Sequence, residues 1–511
     1  MKSRTLLAIP ALAAAFALSV VGCSSGTGSP GGGGTAGGAE LVLGIVQEPA
    51  SWDPAQAHVG HRLQPFQAAY DTLILREPDG AYSPMLATKW GYTDDKGMTF
   101  SLDLRTDVTF SDGEKFNAAA VVANLEHFKT DNGPQAAQAA AIGSVKAIDD
   151  DTVEIQLAKP DPALEYYLSQ ALGLMGSPKA LGSDAIDRTP VGTGPYVMVA
   201  DQSVVGSQYV FTAREGYWNP QLQKFGKITL KLLADVTSRV NAITSGEVQA
   251  TLLDPTTVQQ AEASGLTKLA YPTDWQGLLL MDRAGKLNKA LGDVRVRQAI
   301  NYALDRETML KSLGGGFGEV TSQVFGPAST AYVPELDTHY TFDKAKAKQL
   351  LADAGYADGL EIEMPVLTPG FETLMTMVTQ QLADVGITVK QTSVPGADYQ
   401  GLLGQGKFAA AAFNIFQGPS WVASKLLLST DGLYNPFDSA TPELTKQLDA
   451  LQANGEDKAA AQAINTYVTE NAWFAPWFRP SQLYFYDAKK LTVVPQTQQA
   501  VPSIYNYAPV A

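Results

Sequence analysis

The residue types that do chemistry are scarce in this chain, and those present stand in the wrong surroundings for catalysis. Among 511 residues there is one cysteine, Cys23, and four histidines, His58, His61, His127 and His339. Gly22-Cys23-Ser24-Ser25-Gly26 spells G-x-S-x-G, but a nucleophile elbow needs a strand before its serine and a helix after it. Here an apolar leader precedes and a Gly/Ser tract follows. Gly401 to Lys407 spells G-x-x-x-x-G-K, with Phe408 where a phosphate-binding loop needs Ser or Thr for magnesium. Gly314-Gly315-Gly316 ends a predicted helix instead of opening one, so it reads as a cap and not an anion cradle. His58 and His61 can share a helical face or flank a loop near Trp52, where a metal chelate could be held; histidines of a cleft wall are the plainer reading. There is no H-E-x-x-H and no nucleophile–base constellation. The expectation is a protein that is not an enzyme and carries no cofactor.

What the chain offers is binding chemistry. A pocket for a neutral or peptide-like solute needs aromatic faces and a few polar anchors. Trp52, His58, Trp275, Phe416, Gln417, Trp421 and Tyr434 are the candidates. Trp275 lies just before an apolar β-prone run, and Phe416, Gln417 and Trp421 cluster in one loop. Trp90, Trp218, Trp473 and Trp477 read as scaffold.

These residues belong to an exported chain. Lys2 and Arg4 precede an uncharged run from Thr5 to Gly22, the layout of a secretory leader spanning residues 1–22. Val20-Val21-Gly22-Cys23 resembles a bacterial lipobox, which implies a diacylglycerol on Cys23 and cleavage just before it. Residues 23–39 are rich in Gly and Ser and read as a flexible tether, with an r.m.s. reach of roughly 22 Å over about 16 residues. The formal charge of −15 becomes −17 when Lys2 and Arg4 leave with the leader. An acidic body repels phosphate backbones, so no nucleic acid is expected as a partner. With Cys23 lipidated, disulfides, thiolate zinc sites and cysteine nucleophiles are excluded. Nothing after residue 40 has the length and apolarity of a membrane span.

The body alternates helical and strand patterns. Asn117 is placed to cap a helix with Val121, Leu125 and Phe128 on one face. Asp293 is placed to cap one helix running to Gly314, with Val296, Ile300, Ala303 and Leu304 inward. Leu374, Met377, Val378, Leu382 and Val385 form a third stripe closed by Gly386, followed by alternation at Ile387 and Val389. Asp343 to Gly359 predicts a helix stopped by Gly355, and Val153, Ile155 and Leu157 a strand. Interleaved helices and strands over about 470 residues predict α/β lobes with mixed sheets.

Trp52-Asp53-Pro54, Tyr70-Asp71-Thr72-Leu73, Met85 to Trp90, Phe100 to Arg105 with Val108 to Gly113, and Pro190 to Tyr196 follow in order. Ser245-Gly246-Glu247-Val248, Asp293 to Ile300 with Ala303 to Arg306, and Ala345 to Gly355 complete the series. Along nearly the whole mature chain this resembles the family 5 extracellular solute-binding proteins of ABC importers, the receptors for oligopeptides, dipeptides and nickel. Gln249 departs from an acid in that pattern. Gly192 and Gly194 read as turn glycines, so the motifs identify the scaffold and not the ligand.

The resemblance implies a two-lobe periplasmic-binding-protein fold of type II, joined by two hinge strands with an inserted subdomain. Residues 40–80, 192–285 and 482–511 would form lobe I, 81–191 the insert and 286–481 lobe II. Leu278 to Asp282 and Leu483 to Phe485 are the expected crossovers. It also implies a monomeric receptor, held by lipid at the outer face of the cell membrane, that delivers a small solute to ABC permease subunits. Peptide receptors of this family resemble one another in placing an Asp in the second-lobe loop to pair with the ligand's α-ammonium. No carboxylate occurs here from Tyr399 to Thr430. A peptide-like solute is the expectation, with an oligosaccharide, an opine-like conjugate or a metal chelate as alternatives. A secreted hydrolase and a surface lipoprotein that binds a protein partner are the other classes.

Overall fold

The structure is a computed structural model, and it describes residues 38–455 and 457–510. The leader, Cys23 and nearly all of the tether lie outside the described residues.

Two long antiparallel segments organise the body. Phe474–Tyr486 is a 13-residue strand. It runs against Thr267–Pro272 and then Asp274–Leu280 in nearly continuous register, from Thr267↔Tyr486 to Leu279↔Phe474. The neighbours differ at the two ends of this ribbon. At one end Ala250–Leu253 pairs with Leu483 to Tyr486, and Glu40–Ile45, Lys227–Leu232, Gln208–Ala213 and Tyr196–Met198 extend the sheet. At the other end Ala410–Phe416 pairs with Asp274–Leu280, and Gly318–Val320 with Phe478 to Pro480. The change of neighbours falls at Thr273 and at Pro480–Ser481. The expected crossover segments, Leu278 to Asp282 and Leu483 to Phe485, begin on either side of that point, inside the ladders.

The remaining layers follow from alternation. Leu41, Leu43 and Ile45 all point into the main core. A second, four-stranded antiparallel sheet orders Ala87–Tyr92, Thr99–Leu104, Thr152–Leu157 and Ile142–Ala147. Val153, Ile155 and Leu157 are buried in it, as their period of two requires. The helix Ala118–Thr130 packs on this sheet, with the Asn117 side chain accepting the Ala120 N–H. Leu360–Thr368 and Ile387–Pro395 pair in parallel around the helix Glu372–Ala383. Their apolar faces share a separate core with Leu278, Leu280 and Ile300.

One expected helix is two. The helix capped by Asp293 ends at Ala303, and Leu304 is extended. The Asp305 carboxylate accepts the Thr308 N–H and starts a second helix, Arg306–Leu313, which Gly314 ends. A side-chain acceptor in mid-pattern offers the backbone a new cap and so breaks the run. The glycines of 401–407 lie in the helix Gly396–Gly404 and the turn after it, so they form no loop before a helix. Gly192 and Gly194 are packing glycines. A Cβ on Gly194 would lie 2.3 Å from the Ala69 carbonyl carbon.

Candidate functional site

The helix Ser420–Leu428 carries Trp421 and Lys425 one turn apart, so both side chains leave the same face. That face meets the loop after Thr152–Leu157. Asp161 of the loop is 3% exposed. Its Oδ1 accepts the Trp421 indole N–H at 2.8 Å, and its Oδ2 pairs with the Lys425 ammonium at 2.6 Å. Gln452 donates to the Pro160 carbonyl at 2.9 Å, and Lys159 pairs with Asp431 at 2.8 Å. The carboxylate is desolvated, but all its charge is matched by these donors.

Beside this contact lies a cavity of about 590 Å³. Its walls come from distant parts of the chain: the hairpin around Gly80, residues 162–166, 328–330, 419–422 and 453–455, and Thr497 with Gln498. Tyr82, Tyr92, Tyr166 and Trp421 supply aromatic faces. Arg76 is its only basic lining residue among the described residues, and Asp79 and Glu165 are its acids. Burial raises the Glu165 carboxyl, opposed by the hydrogen bond from the Trp90 indole. A second cavity of about 300 Å³, lined by Gln417, Pro272 and Glu319, shares Ala328, Thr497 and Gln498 with the first.

The sequence candidates divide by environment. Trp421 lines the larger cavity but has committed its N–H to Asp161. Gln417 lines the smaller one and donates through its side chain to the Val324 carbonyl. Phe416 is half-buried and pairs across the ladder with Asp274. Trp275 is fully buried against Phe474, and its indole N–H has no protein partner. Trp52 is packed among Phe66, Tyr209 and Phe211 and belongs to the core. Tyr434 is buried against Phe413, its hydroxyl accepting from Gln400. His58 is half-buried, and burial and Arg62 both disfavour its protonation.

Three features escaped sequence reasoning. Asp274 stands directly across from Phe416, so the register brings a carboxylate beside the loop that lacks one. Although part of its surface stays accessible, burial pushes its carboxyl up to about 6, opposed by a Thr273 hydrogen bond. Asp161 and Arg76 acquire their places only through partners far away in the chain. Among the described residues His58 and His61 join no ligand cluster; instead Asp53, His127 and Asp131 offer atoms within 4.8 Å of one another. His127 Nε2 lies 2.8 Å from Asp53, and Asp53 also caps the turn at Ala55, so hydrogen bonds within the scaffold account for this group.

Residues 81–434 match the bacterial extracellular solute-binding proteins, family 5 Middle. A glutathione-binding protein, GsiB of Salmonella choleraesuis, is 28% identical over 451 residues, covering 83% of each chain. The solved structure of NikA from Brucella suis in complex with Fe(III)-EDTA has the same fold, with a TM-score of 0.79 at 22% identity over 92% of this chain and 100% of that one. DppA from Helicobacter pylori in complex with the peptide STSA has a TM-score of 0.77 at 20% identity, over 92% and 98%. No helix among the described residues is long and apolar enough to cross a membrane. The two-lobe α/β architecture of type II, with its lobes joined by the strand ribbon, is therefore the fold of this chain. The chain belongs to the family 5 extracellular solute-binding proteins and serves as the solute receptor of an ABC importer.

Proposed function

We propose that the chain is a lipid-anchored, monomeric receptor that closes around one peptide-like solute and releases it unchanged to its permease. The observation that carries this reading is the 590 Å³ cavity. Residues before 80, within 162–166 and within 419–455 all wall it, and the Asp161 contact lies beside it through Trp421. Its tyrosines and Trp421 suit peptide planes and side chains, while Arg76 and the acids Asp79 and Glu165 suit a zwitterion. Asp274 lines neither cavity, but it stands across the ladder from Phe416 and is the carboxylate we assign to a ligand's ammonium at the loop that lacks one. Of the sequence candidates, Trp421 lines this cavity and Gln417 the smaller one, and both support the reading. The lobe assignments 40–80, 192–285 and 482–511 against 286–481, with 81–191 as the insert, put the first boundary after residue 285, whereas the exchange of strand neighbours supports closure about Thr273 and Pro480–Ser481. Cys23 supplies the anchor.

Calorimetry with free and N-acetylated tripeptides tests the ligand class. Free peptides should bind at one site per chain, and Asp274→Asn should weaken them at least tenfold while sparing the acetylated forms. Binding of oligosaccharides or metal chelates in preference to every peptide would overturn the peptide-like assignment.

A further inference from the structure

Arg76 ends the short strand Ile74–Arg76 and is paired with Tyr82 across the hairpin. Arg76 is 8% exposed yet lines the large cavity. All its partners are neutral: one terminal nitrogen donates to the Thr497 carbonyl at 2.7 Å and the other to Gln498 Oε1 at 2.7 Å. The guanidinium lies 5.5 Å from the Tyr166 ring centre. Its Nε–H has no hydrogen-bond partner, and it forms no ion pair among the described residues. Neither acid on the same cavity pairs with it: Asp79 accepts the Ala81 N–H and Glu165 the Trp90 indole N–H, each through one oxygen. Gln498, which holds the guanidinium, has a φ of 54°, a left-handed conformation unfavourable for a non-glycine residue. Such strain persists only where its surroundings enforce it.

The Nε–H is closed to solvent, but each terminal nitrogen uses only one of its two N–H groups in these bonds. A buried cation with no counter-charge is expensive, and a carboxylate is the planar acceptor that fits a guanidinium with such donors to spare. We propose that Arg76 is the anchor for a carboxylate of the transported solute. The two acids on the same cavity disfavour a polyanion, so the class is a solute with one carboxylate, on a neutral or zwitterionic body. This inference rests on the receptor reading and narrows it to one contact.

The test is a thermal-shift and calorimetry panel of tripeptides, sugar acids and amino-acid conjugates, each paired with its carboxamide, against wild type, Arg76→Gln and Arg76→Lys. Carboxylates should bind, and their amides should bind at least tenfold more weakly. Arg76→Gln should lose on the order of a hundredfold for the carboxylates and change the amides less than about threefold. Arg76→Lys, which keeps the charge but not the fork, should recover part of the loss, which separates the anchor role from misfolding. Amides that bind as well as acids, or an Arg76→Gln protein with undiminished carboxylate affinity, overturn the anchor and leave the receptor reading intact. A panel in which neither acids nor amides bind overturns both.

Discussion

Asp161→Ala isolates the closing of the receptor from its folding. In this structure the carboxylate takes the Trp421 N–H at 2.8 Å and the Lys425 ammonium at 2.6 Å, with Asp161 3% exposed, and under the proposed function this contact belongs to the closed form. Deleting it strands the indole N–H, which costs about 1–3 kcal/mol when buried. It also removes the partner of a charge; a fully buried one would cost about 3–5 kcal/mol. The Lys425 side chain keeps 20% exposure, which discounts that figure. The balance is about 2–4 kcal/mol against the closed form, since water satisfies the same groups once the lobes part. The apparent Kd should therefore rise roughly 30- to 1000-fold. Calorimetry gives the affinity, and small-angle scattering without and with solute gives the open-to-closed change. A double-mutant cycle with Lys425→Ala should return a coupling of about 1–3 kcal/mol. Unchanged affinity and scattering, with only a lower melting temperature, would show that the contact stabilises the fold and not closure.

Further outcomes follow from other groups. Asp71 is fully buried, and desolvation pushes its carboxyl from 3.8 up to about 7 against hydrogen bonds from Trp218, Tyr217 and Tyr505. A carboxyl raised on folding stabilises most below its unfolded value, and the contribution is lost as pH climbs from about 4 to about 7. It should cost on the order of 4 kcal/mol at neutral pH, and Asp71→Asn should flatten the melting-temperature curve across that window; an unchanged slope refutes the assignment. Cys23→Ala should leave the protein unlipidated, as precursor or shed into the medium; a mature, membrane-bound Cys23→Ala protein would sink the anchor. Lys407→Ala should leave solute affinity within about twofold, because Gly401 and Gly404 lie in a helix. Magnesium-dependent ATP binding lost in this variant would contradict that.

Much of the scaffold was legible because its signals are local. Asn117 and Asp293 cap where their spacing predicts, and Gly355 and Gly386 adopt positive φ at the expected stops. The break at Leu304-Asp305 was hidden because Leu304 and Met309 are both buried and continue an apolar pattern through it. The loop Phe416 to Trp421 was recognisable as an aromatic cluster. Its chemistry was not, because Trp421 meets Asp161 across 260 positions and Arg76 meets Thr497 across 421. Strand register placed Asp274 opposite Phe416, and no periodicity within either strand encodes that pairing. Trp52 and Tyr434 show the converse: an aromatic near a predicted cleft packs inward when neighbouring rings complete a core around it.

Native mass spectrometry of the full-length protein, extracted from its membrane and sprayed without denaturation, tests the central claim most directly. It should show one small molecule bound per chain, peptide-like with a single free carboxylate, released on denaturation with its mass unchanged after prolonged incubation. A protein saturated with a metal chelate or sugar, or one that returns its guest as a cleaved product, would contradict the account.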